Sequence, residues 1–147
     1  MIVKIKKLDE KAVIPAYQSA GASGFDLHCI EDVEIPMNGT ALVKTGLSVA
    51  LPPGTEMQIR PRSGLALKTP YTVKNSPGTV DADYRGEIGV IVHHCGGRRD
   101  PYPLAFKAGD RIAQAVICPV YRCEIVEVNE IDNTGRGAGG FGSSGVR

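Results

Sequence analysis

The stretch "GEIGVIVHH", residues 86–94, carries apolar residues at every second position from Ile88. Ile88, Val90 and Val92 share one face of an extended chain, as expected for a strand that covers a core. Similar alternation recurs in "TGLSVALPPG" (45–54), "TEMQIRP" (55–61), "DRIAQAVICPV" (110–120) and, more loosely, "RCEIVEVNEI" (122–131). Many short strands at regular spacing predict an all-β sandwich or barrel.

The alternation assigns three further sets of residues to single faces. They are Leu47, Val49 and Leu51; Met57 and Ile59; and Ile112, Gln114 and Val116. Only "RSGLALK" (62–68) fits a helical turn. We therefore predict one domain, residues 1–147, folded as a distorted, jelly-roll-like β-barrel with at most one short helix. Its core spans about 1–133, and 134–147 form a flexible C-terminal tail, called the lid below.

The composition of the chain excludes several classes of function. A net charge of +1 over 147 residues gives no long-range attraction to nucleic acid or to anionic membranes. Neither an apolar stretch of membrane-spanning length nor a signal-peptide core is present, and no cysteines form a CxxC pair. We expect a cytoplasmic protein, or an organelle or nuclear one in a eukaryote, with reduced cysteines and no structural zinc.

Polar residues cluster where two of the early strand patterns begin or end. In "AGASGFDLHC" (20–29) a glycine-rich turn precedes Asp26, which either caps local amides or helps to hold a hard cation. In "RPRSGLALK" (60–68) Arg62, the Ser63 hydroxyl and the free amides of a helix start are suited to an anion. Each segment alone is weak evidence for a site.

The segment "NSPGTVDADYRGEI" (75–88) gathers more polar residues. The amide of Asn75 can read a uracil- or amide-like edge, because it offers a donor and an acceptor together. An extended backbone would aim Asp81 and Asp83 to one side, with Arg85 placed to pair with Asp83. Two close carboxylates can divide the roles of base and ion-pair partner, or the pKa of one of them can be raised. The alternative is a polar β-turn with a solvated salt bridge.

Two more segments lie towards the C-terminus. In "KAGDRIAQAVI" (107–117) Asp110 and Arg111 are interpreted as a pair with a structural role. Gln114 is either hydrogen-bonded in the core or available to a ligand at the edge of the strand. "RGAGGFGSSG" (136–145) lacks the spacing of a P-loop. It nevertheless supplies amides, hydroxyls and an arginine for phosphate oxygens, and Phe141 for a base. The alternative for this last segment is a frayed tail.

Taken in order, these five segments resemble the motifs of the homotrimeric all-β dUTP pyrophosphatases (dUTPases) over essentially the whole chain. The resemblance implies Mg²⁺-dependent hydrolysis of dUTP to dUMP and pyrophosphate by in-line attack of water on the α-phosphorus. Such an enzyme limits uracil incorporation into DNA and supplies dUMP for thymidylate synthesis. It also implies a homotrimer with active sites between subunits, and neither a nucleic-acid polymer nor a membrane as partner.

The resemblance also assigns roles to individual residues. Asp81 matches the aspartate that activates the attacking water, and Tyr84 the tyrosine under the deoxyribose. Asp26 matches a carboxylate near metal-bound waters. The remaining matches are the uracil hairpin at Asn75, Thr79, Val80 and Gly89; the phosphate contacts Arg62, Ser63, Gly64 and Gln114; and the lid residues Arg136, Phe141, Gly142, Ser143 and Ser144.

Two departures from the family pattern stand out. The stretch that contains residues 93–106 is longer than usual, and we expect a surface hairpin there. Ser144 stands where threonine is usual, which keeps the hydroxyl. Two other functions remain open: a deoxycytidine triphosphate deaminase, disfavoured by Phe141 and the full lid, and a non-catalytic nucleotide-dependent switch, disfavoured by Asp81, Tyr84 and Arg136.

Overall fold

The computed structural model describes residues 1–96, 103–140 and 145, and this part of the chain is almost entirely β-structure. It contains eleven strands and one short helix. In chain order these are β1 (Lys4–Lys7), β2 (Phe25–His28), β3 (Val33–Ile35), β4 (Thr40–Lys44), β5 (Leu47–Ala50), β6 (Thr55–Arg60), α1 (Ser63–Lys68), β7 (Tyr71–Val73), β8 (Gly78–Val80), β9 (Gly89–His94), β10 (Leu104–Phe106) and β11 (Arg111–Pro119).

The strands form four small antiparallel sheets, with no continuous closed barrel among the described residues. The largest sheet has the order β2-β11-β6-β8, and the next has the order β4-β9-β7. Two-stranded pairs, β1-β5 and β3-β10, complete the set. The all-β, single-domain fold with one short helix is confirmed. Among the described residues, the helix α1 has six residues and is too short to cross a membrane.

One core lies beneath these sheets, and most of the predicted faces line it. Residues of β6 and β9 alternate between buried and partly buried positions, as a half-buried strand requires, whereas β5 also buries Ser48. Three predicted sets are confirmed as buried: Leu47, Val49 and Leu51; Met57 and Ile59; and Ile88, Val90 and Val92.

The predicted face of β11 is wrong. Ile112 is fully buried, whereas Gln114 and Val116 are only partly buried and lie on the opposite face of the sheet. The cause is a register shift between Arg111 and Ala113, where β11 advances two residues while β2 advances one. Such a β-bulge changes the phase of the alternation, so Ile112 and Ala113 both face the core.

Two other expectations about strands are wrong for this chain. Residues 122–131 form no strand in the described structure and are exposed throughout, because they have no neighbouring strand with which to pair. The expected surface hairpin at 93–106 is not a pair of bonded strands: β9 pairs with β4 and β7, whereas β10 pairs with β3. Residues 97–102 of that stretch lie outside the described chain.

Candidate active site

Asp26 on β2 lies between two arginines at the end of the four-stranded sheet. Arg62 Nε donates to Asp26 Oδ1 at 2.8 Å, and Arg111 Nη1 donates to Asp26 Oδ2 at 3.3 Å. The Asp26 side chain is 14% exposed and that of Arg111 is 50% exposed. We call these three residues the Asp26 cluster. With one carboxylate and two guanidinium groups it retains one net positive charge, which suits an anionic ligand.

Ser63 and Gly64 begin α1 immediately after this cluster, as predicted. The N-cap residue, Arg62, makes no side-chain capping hydrogen bond. The first amides of a helix have no acceptor within the helix, and both Ser63 and Gly64 are exposed. A hydroxyl and free amides therefore lie next to the positive charge of the cluster.

Gln114 extends this polar surface from β11. The bulge places Gln114 on the partly exposed face, where it is paired with Asp26 on β2 and with Arg60 on β6. Its Nε2 donates to Pro61 O at 2.8 Å, so the side chain is hydrogen-bonded to the loop that leads into α1. Of the two alternatives for Gln114, a site at the strand's edge fits this position and a place in the core does not.

His28 lies two residues after Asp26 on β2. Its Nδ1 is buried and has no hydrogen-bond partner among the described residues. Burial lowers the pKa of His28 below its ordinary value of 6.5; Asp26 opposes the shift, whereas Arg111 and Arg62 add to it. The imidazole is therefore neutral at pH 7 and adds no charge to the Asp26 cluster.

A second group of predicted residues lies on the connection between β7 and β8. Asn75 is exposed in this turn, which is closed by a hydrogen bond from Ser76 N to Val73 O at 3.0 Å. A Cβ added at Gly78 would lie 3.0 Å from Asn75 Nδ2. The bare glycine therefore lets the amide of Asn75 pack directly against the start of β8.

Thr79, Val80 and Gly89 flank the same turn. Thr79 is exposed and Val80 partly buried on β8. Gly89 begins β9, whose ladder with β7 continues in the hydrogen bond from Lys74 N to Ile91 O at 2.8 Å. Of the four residues predicted for the uracil hairpin, Asn75 lies in the turn before β8 and Thr79 and Val80 lie on β8. The ladder between β7 and β9 brings Gly89 towards the same turn.

Asp81 follows β8 and begins a tight turn. Tyr84 N donates to Asp81 O at 3.2 Å, so the backbone from Asp81 to Asp83 forms a turn, and the expected extended backbone is wrong. The expected Arg85–Asp83 salt bridge is absent from the ion pairs of the described chain. Arg85 Nη1 donates instead to the carbonyls of Ala82 and Tyr84, at 2.7 and 2.8 Å.

Tyr84 is held at the end of this turn. Its hydroxyl donates to Glu87 O at 3.1 Å, and a Cβ at Gly86 would collide with that hydroxyl. The ring therefore lies directly over Gly86 while remaining 46% exposed. An exposed aromatic ring held in this way is suited to stack on a flat or sugar-like ligand.

An open groove of about 750 Å³ runs beside Asp81. Its lining includes Glu56, Asp83, Arg85, Val120 and Arg122. Asp81 is exposed at this groove, so its carboxylate is accessible to water and to a ligand.

Asp81 and the Asp26 cluster lie towards opposite ends of β6, whereas the turn at Asn75 lies towards the Arg60 end, because Gly78 pairs with Ile59. In the pairing of β6 with β8, Met57 lies opposite Val80, so Asp81 lies near Glu56. Arg62 is six residues farther along, a distance of roughly 20 Å in an extended strand. Within one chain, Asp81 and the Asp26 cluster are therefore too far apart to contact the same phosphorus atom.

Comparison with known proteins identifies the family. The family model described as dUTPase matches residues 10–145. The deoxyuridine 5'-triphosphate nucleotidohydrolase of Wolinella succinogenes is 58% identical over 145 residues, which cover 99% of this chain and 95% of that protein. The chain belongs to the dUTPase family.

Solved dUTPase structures share the fold of this chain. A point mutant of the Staphylococcus bacteriophage 80alpha dUTPase with dUpNHpp is 27% identical, with a TM-score of 0.89 over 99% of both chains. A mutant dUTPase from phage phi11 of S. aureus, described with a structural Mg(II) ion, is 24% identical. Its TM-score is 0.82, and the match covers 88% of this chain and 98% of that one. The second likeness shows the fold alone.

The lid, which the dUTPase resemblance assigned to the ligand, is only partly described. Arg136 lies in an exposed turn, where its Nε donates to Gly139 O at 2.8 Å and Gly137 N donates to Thr134 O at 3.0 Å. Phe141, Gly142, Ser143 and Ser144 lie outside the described residues.

Arg111 is the residue of the site that sequence reasoning missed. Asp110, its expected partner, instead accepts a hydrogen bond from Lys107 N at 2.8 Å, while Arg111 reaches Asp26. The available signal was the adjacent pair Ile112–Ala113: two neighbouring apolar residues between polar ones are compatible with a bulge that turns both flanking side chains to one face.

Proposed function

We propose that this chain is a dUTP diphosphatase that hydrolyses dUTP to dUMP and pyrophosphate. The observation that carries the proposal is the 58% identity, over 99% of the chain, with a deoxyuridine 5'-triphosphate nucleotidohydrolase. It is combined with the positions of Asn75, Asp81 and Tyr84 on the two turns that flank β8. We place the protein in the cytoplasm. Its activity there would limit uracil incorporation into DNA and supply dUMP for thymidylate synthesis.

Asp81 is the proposed general base. Its exposed carboxylate accepts a proton from a water molecule, the water oxygen bonds to the α-phosphorus, and the α–β bond breaks with pyrophosphate as the leaving group. A turn closed by the Tyr84 amide fixes the backbone at Asp81. This suits a reaction in which catalysis depends mainly on positioning and charge stabilisation.

The hairpin residues are the proposed reader of the nucleoside. The amide of Asn75 and the backbone at Thr79, Val80 and Gly89 would hydrogen-bond the uracil edge. A site built on such hydrogen bonds can reject bases that lack the matching groups. The Tyr84 ring, held over Gly86, would lie under the deoxyribose and exclude a 2′-hydroxyl.

Residues of the other group are the proposed phosphate site. Arg62, Ser63, Gly64 and Gln114 surround the positively charged end of the sheet, where donors can stabilise the charge of a triphosphate. We assign Arg136 to the γ-phosphate, Phe141 to stacking on uracil, and Gly142, Ser143 and Ser144 to further phosphate contacts. The lid would close over bound ligand and open after turnover.

Mg²⁺ is the proposed cofactor, and the residues present fit a mainly phosphate-bound ion. Both oxygens of Asp26 are hydrogen-bonded to arginines, so Asp26 would contact the ion through a water molecule. The described residues contain no group of three or more His, Cys, Asp or Glu placed to hold a metal ion. Mg²⁺ is commonly held by few carboxylates together with substrate phosphates, and when bound it neutralises phosphate charge.

A homotrimer with active sites between subunits is the proposed assembly. The separation of Asp81 from the Asp26 cluster along β6 supports a site to which two chains contribute. Residues 120–133, called the arm below, support it too, since they expose Val120, Tyr121, Ile125, Val126, Val128 and Ile131. Another subunit could cover these apolar side chains and supply a neighbouring strand.

One assay separates the proposed function from the two alternatives. Purified protein with Mg²⁺ is given dUTP, dCTP or UTP, and the release of pyrophosphate and ammonia is followed, with EDTA replacing the metal in a parallel series. We expect pyrophosphate from dUTP alone, and only with Mg²⁺. Ammonia from dCTP would indicate a deaminase, and a lack of turnover with retained dUTP binding would indicate a switch module.

A further inference from the structure

The β-bulge in β11 has a specific effect on the side chains beside it. A regular strand would place Arg111 and Gln114, three residues apart, on opposite faces. The extra residue between Arg111 and Ala113 puts both on the face that carries Asp26, while Ile112 and Ala113 are fully buried. Bulges are common beside active sites, where they redirect side chains.

Two side chains from other elements hold the backbone of this bulge. The Tyr71 hydroxyl on β7 donates a short hydrogen bond to Ile112 O. Arg62 Nη1 donates to Arg111 O at 3.4 Å. The carbonyls at the irregular point of the ladder are thereby satisfied from outside it, which a buried backbone requires.

Arg111 has donors to spare. Nη1 contacts Asp26, yet a guanidinium carries five N–H groups and half of this side chain is exposed. The proposed phosphate contacts are close by: Arg62 shares Asp26 with Arg111, and Gln114 is three residues along the same strand.

We propose that Arg111 is a phosphate-binding residue of this site, and that Tyr71 is a positioning residue that acts through it by fixing the bulge. The inference rests on the proposed function, because the ligand it concerns is the triphosphate of dUTP. Asp26 then orients two guanidinium groups towards the phosphates, those of Arg62 and Arg111.

The test compares a ligand with phosphates to one without. Binding of dUpNHpp is measured by titration calorimetry, and binding of deoxyuridine by NMR, both at fixed Mg²⁺. We expect Arg111→Ala to weaken dUpNHpp binding by about 10- to 100-fold, the range for a hydrogen bond to a charged group, and to leave deoxyuridine binding unchanged. Arg111→Lys should restore part of the loss. Lys107→Ala is the matched control, since Lys107 pairs with the exposed Asp32, and it should bind both ligands normally.

The role of Tyr71 is tested by a double-mutant cycle. Tyr71→Phe should weaken dUpNHpp binding in the wild-type background and add nothing to Arg111→Ala, because it acts through Arg111. Unchanged dUpNHpp binding by folded Arg111→Ala, or an equal loss of deoxyuridine binding, would overturn the inference and leave the proposed function intact. Failure of the wild-type protein to bind dUpNHpp would instead remove the proposed function.

Discussion

The backbone of Asp81 is fixed in a turn, while its side chain is accessible. Its carbonyl accepts the hydrogen bond from Tyr84 N that closes the turn, and its exposed side chain lies at the open groove. The sequence pointed to Asp81 through the five-motif resemblance, but it did not give the turn. Extended and turn backbones were both compatible with "DADYRG", because Asp and Gly favour turns without requiring them.

Substitution of Asp81 by asparagine should separate chemistry from binding. The amide is nearly the same size but cannot accept the proton of the attacking water, so we expect kcat to fall by about 10²- to 10⁴-fold, the usual contribution of a general base. The dissociation constant for dUpNHpp should stay within about threefold. Single-turnover pyrophosphate release and titration calorimetry measure the two quantities. Substantial residual turnover would show that another group takes the proton.

Among the elements, β11 shows most clearly what could and could not be predicted. Its length and strand character follow from the alternation in "DRIAQAVICPV", and β6 and β9 alternate as their patterns indicate. The pair Ile112–Ala113 is compatible with a bulge but does not require one. The donors to the carbonyls at 111 and 112 come from Arg62 and Tyr71, which are distant in sequence, so alternation alone could not place it. One extra residue then reverses which side chains face the core.

The hydrogen bond from the Tyr71 hydroxyl on β7 to Ile112 O on β11 should also make the free energy of unfolding depend on pH in the alkaline range. Burial raises the pKa of Tyr71 far above its ordinary value of 10.0. The unfolded chain loses this proton near pH 10 while the folded protein keeps it, so the free energy of unfolding should fall as pH rises above 10. The slope that Tyr71 contributes is about 1.4 kcal/mol per pH unit.

Urea unfolding between pH 8 and 11 at fixed protein concentration measures this dependence. Tyr71→Phe should lose roughly 1–3 kcal/mol at neutral pH, because the buried carbonyl of Ile112 loses its donor. Its stability should then fall less steeply above pH 10 than that of the wild type. Tyr17→Phe, at a half-exposed ring, serves as the control and should parallel the wild type. Equal slopes for all three proteins would contradict the assignment.

For the whole molecule, the sequence predicted the residues of the site but not their distribution in space. Pattern and resemblance identified the all-β domain and both groups of polar residues. The separation of Asp81 from the Asp26 cluster along β6 depends on the pairing of β6 with β8 and β11, which alternation does not specify. The loose alternation in 122–131 likewise indicates strand character without a partner: in a single chain these apolar side chains stay exposed, and the proposed trimer would cover them.

Two truncations should distinguish the arm from the lid. Removal of 136–147 takes away Arg136 and the residues proposed to cover the ligand, but leaves the apolar arm. We expect a protein that still assembles as a trimer and has lost most of its dUTPase activity. Removal of 120–147 also deletes the exposed apolar side chains of the arm, and since these are what a neighbouring subunit would bury, this chain should sediment as a monomer.

Analytical ultracentrifugation and the pyrophosphate assay on the same preparations measure both effects. A variant with Ile125 and Val128 replaced by serine tests the same surface in a chain of full length. It should assemble more weakly than the wild type, because each serine removes apolar area from the proposed interface. If the shorter truncation already yields monomers, the lid is part of the assembly contact. If the longer truncation remains trimeric, the arm is not part of the assembly contact, and the sheets themselves must hold the subunits together.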